Sequence, residues 1–429
     1  MAAVKVAMVG AGSFGFAPKL IADFIHTPEL GGSTLVLHDI DAERLEVMAR
    51  LGKRMIAEAG ADLRVEHTLR RQEALDGANF VTCTILVGGL KIAQADVDIP
   101  LKRGVSQSVA DSVGPGGISR ALRTIPVLLE ICRDMERLCP KATLIDYTNP
   151  MTTLCRACRR ETSIQVIGLC HGIFGSMDFM AELIGEKYED MQVRGAGVNH
   201  LVWAFDLRCR GEDAYPRLFK AAENLFETKQ PLSLRLMQIY GMYPCAGDRH
   251  VAEFFPNFII PETDQGKTPW NLPLRGYDLS GPATTLEALR KQADGVEPLK
   301  PRAKSSETAA NIMASIADHQ RGVFIVNIPN EGAIEGLPHD ALVELDATLD
   351  AEGIRPIHVG RLPGAITGVL ERVIASQELT VEAAVTGSRE AALQAMLSDA
   401  IMARVPLETT EAILDELLVM QRDYLPQFA

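Results

Sequence analysis

The chain has 429 residues, 47% of them hydrophobic and 23% charged, which exceeds one ordinary domain and supplies a large core rather than a disordered chain. A formal net charge of −13 without basic runs excludes a broad nucleic-acid or anionic-membrane surface, although a local basic pocket remains compatible with it. The N-terminal MAAVKVAMVG enters a strand without a basic-then-apolar leader pattern, and no apolar run reaches about eighteen residues, so a soluble, cytoplasmic protein with no membrane or nucleic-acid partner is expected.

The first 170 or so residues alternate strand and helix patterns. VKVAMVG is a short apolar run suited to a strand buried on both faces, and a glycine turn leads from it to a helix near Phe14–Phe24. TLVLHD reads as the second strand. Asp41 then suits the N-cap of a helix that places Leu45, Met48, Leu51, Met55 and Ile56 at helical spacing. NFVTCTILVGG reads as a further buried strand ended by Gly88 and Gly89, and GGISRALRTIPVLLEICRDMERLCP as a long helix with Pro126 as a site for a kink. TLIDYTNP is the next strand, and a helix and strand lead on to VIGLCHG. This alternation predicts an α/β fold with a doubly wound parallel sheet. Beyond residue 190 the pattern changes: VRGAGVNHLVWAFDLRCRGEDAYP suggests two adjacent strands and a turn, PNFIIPETDQGKTPWNLPLRGYD a loop, VFIVNIPNEGAIEGLP a strand and loop, and the chain from about 362 is mostly helical. Two tightly packed domains are expected, 1–190 and a mixed α+β region over 191–429.

Gly10-Ala11-Gly12-Ser13-Phe14-Gly15 follows an apolar strand and opens a helix, the context of a Rossmann dinucleotide loop. Gly10 permits the tight turn, Gly12 lets the backbone approach a pyrophosphate, and Gly15 allows helix and strand to pack closely. Asp39, 24 positions beyond Gly15, would bind ribose hydroxyls and disfavour the extra phosphate of NADP. The plainer alternative is a structural glycine turn. Eight cysteines are present, several in apolar runs that predict buried free thiols. Cys155 and Cys158 have CxxC spacing but lie in a helical pattern without a second such pair.

Four further clusters carry chemistry. Cys170-His171-Gly172 ends a strand, where an open parallel sheet binds ligands, and a Cys170 thiolate suits a borderline-soft divalent metal. Asn199-His200 lies at another strand end, and Cys170 with His200 could hold an ion with open positions for substrate oxygens. Gly247-Asp248-Arg249-His250 precedes an apolar segment; Asp248 is either a base or an N-cap, and Arg249 a positioning cation or anion clamp. Asn149, in Tyr147-Thr148-Asn149-Pro150, could bond a sugar hydroxyl or a nicotinamide, or serve as a turn residue.

In chain order, GAGSFG, HDID, ADSVGPGGISRALRTIP, DYTNPM, GLCHG, GVNH, DRHVAEF and VNIPNEGAIEGLP resemble glycoside hydrolase family 4 through most of the chain. The resemblance implies a lactate/malate dehydrogenase-like fold, a sugar substrate, NAD and a divalent metal, usually manganese, in a homodimer or homotetramer. It puts Cys170 and His200 on metal-ligand positions. Gly10, Gly12, Ser13, Phe14, Gly15 and Asp39 fall on the cofactor loop and ribose acid, and Asn149 on a contact to substrate and cofactor. His171 falls where members bring an acid to the glycosidic oxygen. Asp248 matches the base of the α-acting members, with Tyr240 or Tyr243 nearest to the tyrosine of phospho-sugar members. The implied cycle oxidises carbon 3 with NAD, acidifies and removes the carbon-2 proton, eliminates the leaving group, adds water and returns the hydride, an exception to two-carboxylate glycoside hydrolysis. Histidine after the metal cysteine argues against a 6-phosphosugar. Gly172 resembles the α-galacturonidases and α-glucuronidases, leaving room at carbon 6 for a carboxylate that Arg249 or Arg120 would pair, with Asn199 a further substrate contact. The alternatives are an α-galactosidase or α-glucosidase of the same family, an NAD-dependent 2-hydroxy acid dehydrogenase, and a non-catalytic NAD-binding regulator.

Overall fold

The structure is a computed structural model that describes residues 3–260, 268–270 and 272–428. Its strands are β1 (Lys5–Val9), β2 (Ser33–His38), β3 (Leu63–Thr68), β4 (Phe80–Cys83), β5 (Thr143–Asp146), β6 (Gln165–Gly168), β7 (Met191–Val198), β8 (Leu201–Cys209), β9 (Glu212–Asp213), β10 (Tyr243–Cys245), β11 (Gly322–Pro329), β12 (Leu342–Asp350) and β13 (Gly353–Pro356). The α-helices are α1 (Ala17–Ile25), α2 (Ala42–Ala59), α3 (Arg71–Leu75), α4 (Gly89–Leu101), α5 (Gly114–Leu138), α6 (Met151–Glu161), α7 (Gly172–Leu183), α8 (Tyr215–Ala221), α9 (Pro231–Tyr240), α10 (Asp248–Phe254), α11 (Gly281–Ala293), α12 (Ala309–Ala317), α13 (Gly364–Thr386), α14 (Arg389–Ser398) and α15 (Leu407–Met420).

The first six strands run parallel in the order β3-β2-β1-β4-β5-β6, the doubly wound arrangement expected. Alternate residues of each strand enter opposite cores: Val6 and Met8 of β1 join Leu35 and Leu37 of β2 on one face, while Ala7, Val9 and Val36 join α5 and α6 on the other. Helix α2 starts as its sequence predicts, with Asp41 accepting the Arg44 N–H, and Gly60 closes it in the left-handed region.

The sheet does not end at β6. Asn327 of β11 pairs antiparallel with Gly168, and the order continues β11-β12-β7-β8-β10, with β13 on β12 and β9 on β8. Residue 190 therefore precedes the first antiparallel strand within one continuous sheet, and α13 returns to pack on α5 and α6. No helix among the described residues is long and apolar enough to cross a membrane.

One reading of the elements is corrected, and two strands escape the pattern. The run NFVTCTILVGG is a strand only to Cys83; Gly88 and Gly89, both at positive φ, do not end that strand but cap and begin helix α4. Strand β12 escapes pattern reading because acids interrupt it: Glu344 is buried on amide partners, Asp346 pairs with Arg194, and Asp350 with Arg321 and Arg355. Strand β3 escapes because its face is largely exposed. Of the segment read as a loop over 256–278, residues 261–267 and 271 lie outside the described residues.

Candidate active site

Loops beyond the carboxyl ends of β1, β4, β5 and β6 meet the β7–β8 turn and the β10–α10 connection around a cavity of about 450 Å³. Its wall includes Phe16, Asp111, Tyr147, Asn149, Cys170, His171, His200, Asp248, Arg249, His250 and Arg275. Residues up to about 260 positions apart in the chain thus converge where an open parallel sheet is expected to bind ligands.

The glycine-rich loop lies against β2 and β4. Gly10 has φ +85°, and a Cβ there would stand 2.4 Å from the Thr84 carbonyl oxygen, so both conformation and space demand glycine. Gly12 donates its N–H to Asp39 Oδ2 at 2.7 Å, and a Cβ would come within 2.8 Å of the same oxygen. Asp39 Oδ1 accepts the Asp41 N–H at 2.9 Å. The expected ribose acid therefore also clamps the loop. Ser13 Oγ accepts the Phe16 N–H, and the Phe14 ring lies under the Arg44 guanidinium. Gly15 departs from expectation: no atom stands within 4 Å of its missing Cβ, so it does not serve helix–strand packing, and α1 begins only at Ala17.

His200 occupies the two-residue turn between β7 and β8 at φ +68°, a conformation that costs a non-glycine residue on the order of 1 kcal/mol or more and persists where its surroundings dictate it. Ala110 and Ala246, also at positive φ, flank Asp111 and Gly247 in the same wall. The His200 ring stands 3.9 Å, centroid to centroid, from that of His250. Ligand atoms of Asp111, His200 and His250 all lie within 4.8 Å of one another. His200 Nδ1 is 2.6 Å from Ser112 Oγ, which donates to Asp111 Oδ1 at 2.8 Å, an arrangement that leaves Nε2 free. Burial, then the neighbouring His250, push the His200 pKa down to about 3, so the ring is neutral near pH 7, as a metal ligand must be. Burial works against the Asp111 charge, yet His200, then Arg120 and His250, with the Ser112 hydrogen bond, hold its carboxyl below the ordinary range. Glu253 on α10 accepts the N–H groups of Val109 and Ala110 at 2.7 and 2.9 Å, locking the loop that carries Asp111.

Cys170 follows β6, and it alone of the eight free cysteines is not fully buried. Its sulfur accepts the Gly172 N–H at 3.4 Å and a bond from the Asn199 side chain, while burial, then the Glu344 charge, push its thiol far up. Cys155 and Cys158 are buried on α6. His171 Nδ1 lies 3.5 Å from Glu307 Oε1; burial raises that carboxyl to about 7.

Asp248 lines the cavity and also caps a helix, though not its own. Its Oδ2 accepts the Leu232 N–H at 2.9 Å, and its Oδ1 the Ser233 N–H at 2.8 Å and Oγ–H at 2.7 Å, closing the N-terminus of α9. A carboxylate has about four lone-pair sites, so Oδ2 keeps accepting capacity, and burial raises its basicity. Tyr240 packs on Trp203 and Phe255, and Tyr243 bonds Gln230; neither stands in the cavity wall.

Asn149 stands in the wall, where Nδ2 donates to Asp111 Oδ2 at 3.3 Å and the buried Oδ1 has no partner among the described residues. Asn199 does not. Its Nδ2 donates to Glu344 at 2.9 Å beneath Cys170, outside the wall, because Glu344 on β12 needs amide partners. Arg120 is likewise outside the wall, acting on Asp111 through its charge. The space argument for Gly172 is also corrected: a Cβ there would meet Ala246 Cβ at 3.0 Å, so this glycine admits the β10–α10 connection. Asp111 and Arg275 were missed by sequence reasoning, and His250 was noted only within the Gly247–His250 run, without a role. Asp111 lies inside ADSVGPGG and His250 inside DRHVAEF, but only the fold shows what they face.

A model of the family described as "Family 4 glycosyl hydrolase" matches residues 5–186, and that of its C-terminal domain residues 195–402. An alpha-galactosidase of Bacillus subtilis is 33% identical over 99% of both chains. An alpha-galacturonidase of Thermoanaerobacter italicus is 30% identical over 98% of this chain and 97% of its own. The fold is shared with a 6-phospho-alpha-glucosidase from gut microorganisms solved in complex with NAD and Mn2+, with a TM-score of 0.85, 24% identity and full coverage of both chains.

Proposed function

The chain belongs to the family 4 glycosyl hydrolases, and from that premise we propose that it cleaves an unphosphorylated α-glycoside, an α-uronide, with NAD and a divalent metal such as manganese. The observation that carries the reading is one cavity shared by Cys170, His171, His200 and Asp248 at the carboxyl ends of the parallel strands.

The residues suit the two groups. Two imidazoles and a carboxylate, those of His200, His250 and Asp111, bring their ligand atoms within 4.8 Å of one another, the Cys170 thiol lines the same cavity, and the buried His250 Nδ1 has no partner among the described residues, a chemistry suited to a borderline-soft divalent ion. Cys170 and His200 would hold the metal, with His250 and Asp111 beside them. Gly10, Gly12 and Asp39 would hold the dinucleotide, for which Gly10 makes the required turn and Asp39 stands against the loop at Gly12. When bound, NAD supplies a reversible hydride acceptor for carbon 3 of the sugar, and the metal a Lewis acid beside it.

The chain's own side chains do the remaining work. Asp248, held by three bonds from α9 and made more basic by burial, removes the carbon-2 proton. His171, with Glu307 at its Nδ1, gives a proton to the departing glycosidic oxygen. Asn149 orients a hydroxyl through its unpartnered oxygen. Residues 1–190 carry the dinucleotide and residues 191–429 most of the substrate side, with Asn149 and Cys170 reaching across. The uronide assignment is supported by the arginines in the wall, since the room once attributed to Gly172 is filled by Ala246.

A panel of nitrophenyl α- and β-glycosides in neutral, uronic and 6-phosphorylated forms, assayed with NAD, manganese and a thiol reductant, tests the reading. Release of nitrophenol from α-uronides without net NADH is expected. Steady NADH accumulation without cleavage would replace it with a dehydrogenase, and preference for a 6-phosphoglycoside would overturn the substrate class.

A further inference from the structure

We propose that Arg249 and Arg275 form a two-guanidinium clamp for a carboxylate of the substrate, which makes Arg275 a specificity-determining residue. The inference rests on the uronide reading and assigns it to particular side chains. Arg275 comes from the segment between α10 and α11, and both arginines line the cavity.

Charge is the first argument. Many arginines elsewhere in this acidic protein are matched with carboxylates, the fully buried Arg123 with Asp96 and the largely buried Arg156 with Glu378 among them. Among the described residues Arg249 and Arg275 form no ion pair, and the buried Nε of each has no hydrogen-bond partner there. A buried guanidinium N–H left unpaired is costly, so its retention at a cavity wall points to an acceptor that arrives with the ligand. Lys229, the third cation of the wall, is already neutralised by Glu182, with both oxygens at 2.7 Å.

Geometry is the second. Arg249 Nη2 donates to the Ser108 carbonyl, which anchors one end of its fork. Arg275 is held through its backbone N–H on Gln107 O at 3.2 Å, and its guanidinium lies 4.4 Å from the Tyr277 ring centroid. Residues Gln107 and Ser108 are consecutive, so one short segment seats both arginines. The two are close enough that the Arg275 charge, after burial, lowers the pKa of Arg249. Guanidinium groups held in place lose little freedom when a flat, two-oxygen anion enters between them. Asp111 and Asp248 share the same wall, and their charge penalises a phosphate dianion more than a carboxylate.

The test compares wild type, Arg275→Gln, Arg275→Lys and Arg249→Gln on nitrophenyl α-uronides and their neutral and 6-phosphorylated counterparts, in both galacto and gluco series. Binding of free galacturonate and glucuronate to the metal-free protein is measured by calorimetry alongside. Arg275→Gln is expected to lower kcat/KM on the uronide about 10- to 100-fold, mainly through KM, with the neutral glycoside hardly changed and uronate binding weakened in proportion. Arg275→Lys should recover part of the loss, because it keeps the charge without the fork. Equal losses on uronide and neutral substrate would show a merely structural arginine and overturn the clamp. Wild-type preference for the 6-phosphorylated substrate would overturn a carboxylate ligand. If wild type cleaves uronides and Arg275→Gln does so equally well, the clamp alone fails. If wild type cleaves only neutral glycosides, the uronide reading fails and takes the clamp with it.

Discussion

Glu344→Gln separates the electrostatic cost of one buried carboxylate from everything else that holds the site together. Glu344 is 1% exposed on β12, and its Oε2 accepts the side-chain amides of Asn199 at 2.9 Å and Asn327 at 3.1 Å. Burial raises its pKa from 4.5 to about 7, although those two bonds pull the other way. The native chain then holds this proton more tightly than the unfolded chain does. Its contribution to stability is full below pH 4.5, declines as pH rises toward 7, and is gone above that. A rise of that size corresponds to about 3 kcal/mol as an upper figure. Glutamine has the same shape, and its carbonyl oxygen can accept both amides without ever taking up charge. In urea unfolding of the metal-free protein under reductant, the Glu344→Gln variant should match wild type near pH 4.5. It should exceed wild type by about 3 kcal/mol at pH 8.5, with the gap opening between those values. A gap that stays constant with pH, or a variant less stable than wild type at pH 8.5, would refute the argument that burial dominates this carboxyl.

Two further outcomes follow from the site. Cys170→Ser should lower manganese affinity by about 10-fold or more and abolish glycoside cleavage while NAD binding persists, measured by equilibrium titration of each ligand; retained manganese affinity would remove Cys170 from the donor set. Gly12→Ala should weaken NAD about 10-fold, because its Cβ would displace the Asp39 carboxylate from 2.8 Å; unchanged NAD affinity with normal metal binding would count against Asp39 as the loop's anchor.

Much of the parallel half was legible because its signals are local. A strand buried on both faces needs an apolar run, the turn at Gly10 needs positive φ, and the end of a helix needs a cap, so VKVAMVG, GAGSFG and Asp41 each announce themselves within a few residues. Chemistry-bearing residue types were legible too, and Cys170, His171, His200, Asp248, Arg249 and Asn149 all stand in one wall. Partnership was not. Asp248 was read as a base or as the cap of its own helix; it caps α9, fifteen residues upstream in the case of Ser233. Gly15 and Gly172 were given reasons that belong to other atoms, and Asn199 and Arg120 stand outside the cavity wall.

The sequence by itself determined the alternation of strands and helices, the dinucleotide loop with its acid, and the family, since each depends on residues close together or on motifs in fixed order. Only the tertiary structure decided that Asp111, His200 and His250 come within 4.8 Å of one another, that Arg249 and Arg275 share a seat on Gln107 and Ser108, and that Glu344 titrates near neutral pH. The physical reason is the same in each case. Burial and electric field at a side chain are set by atoms that the fold brings near, most of them far away along the chain.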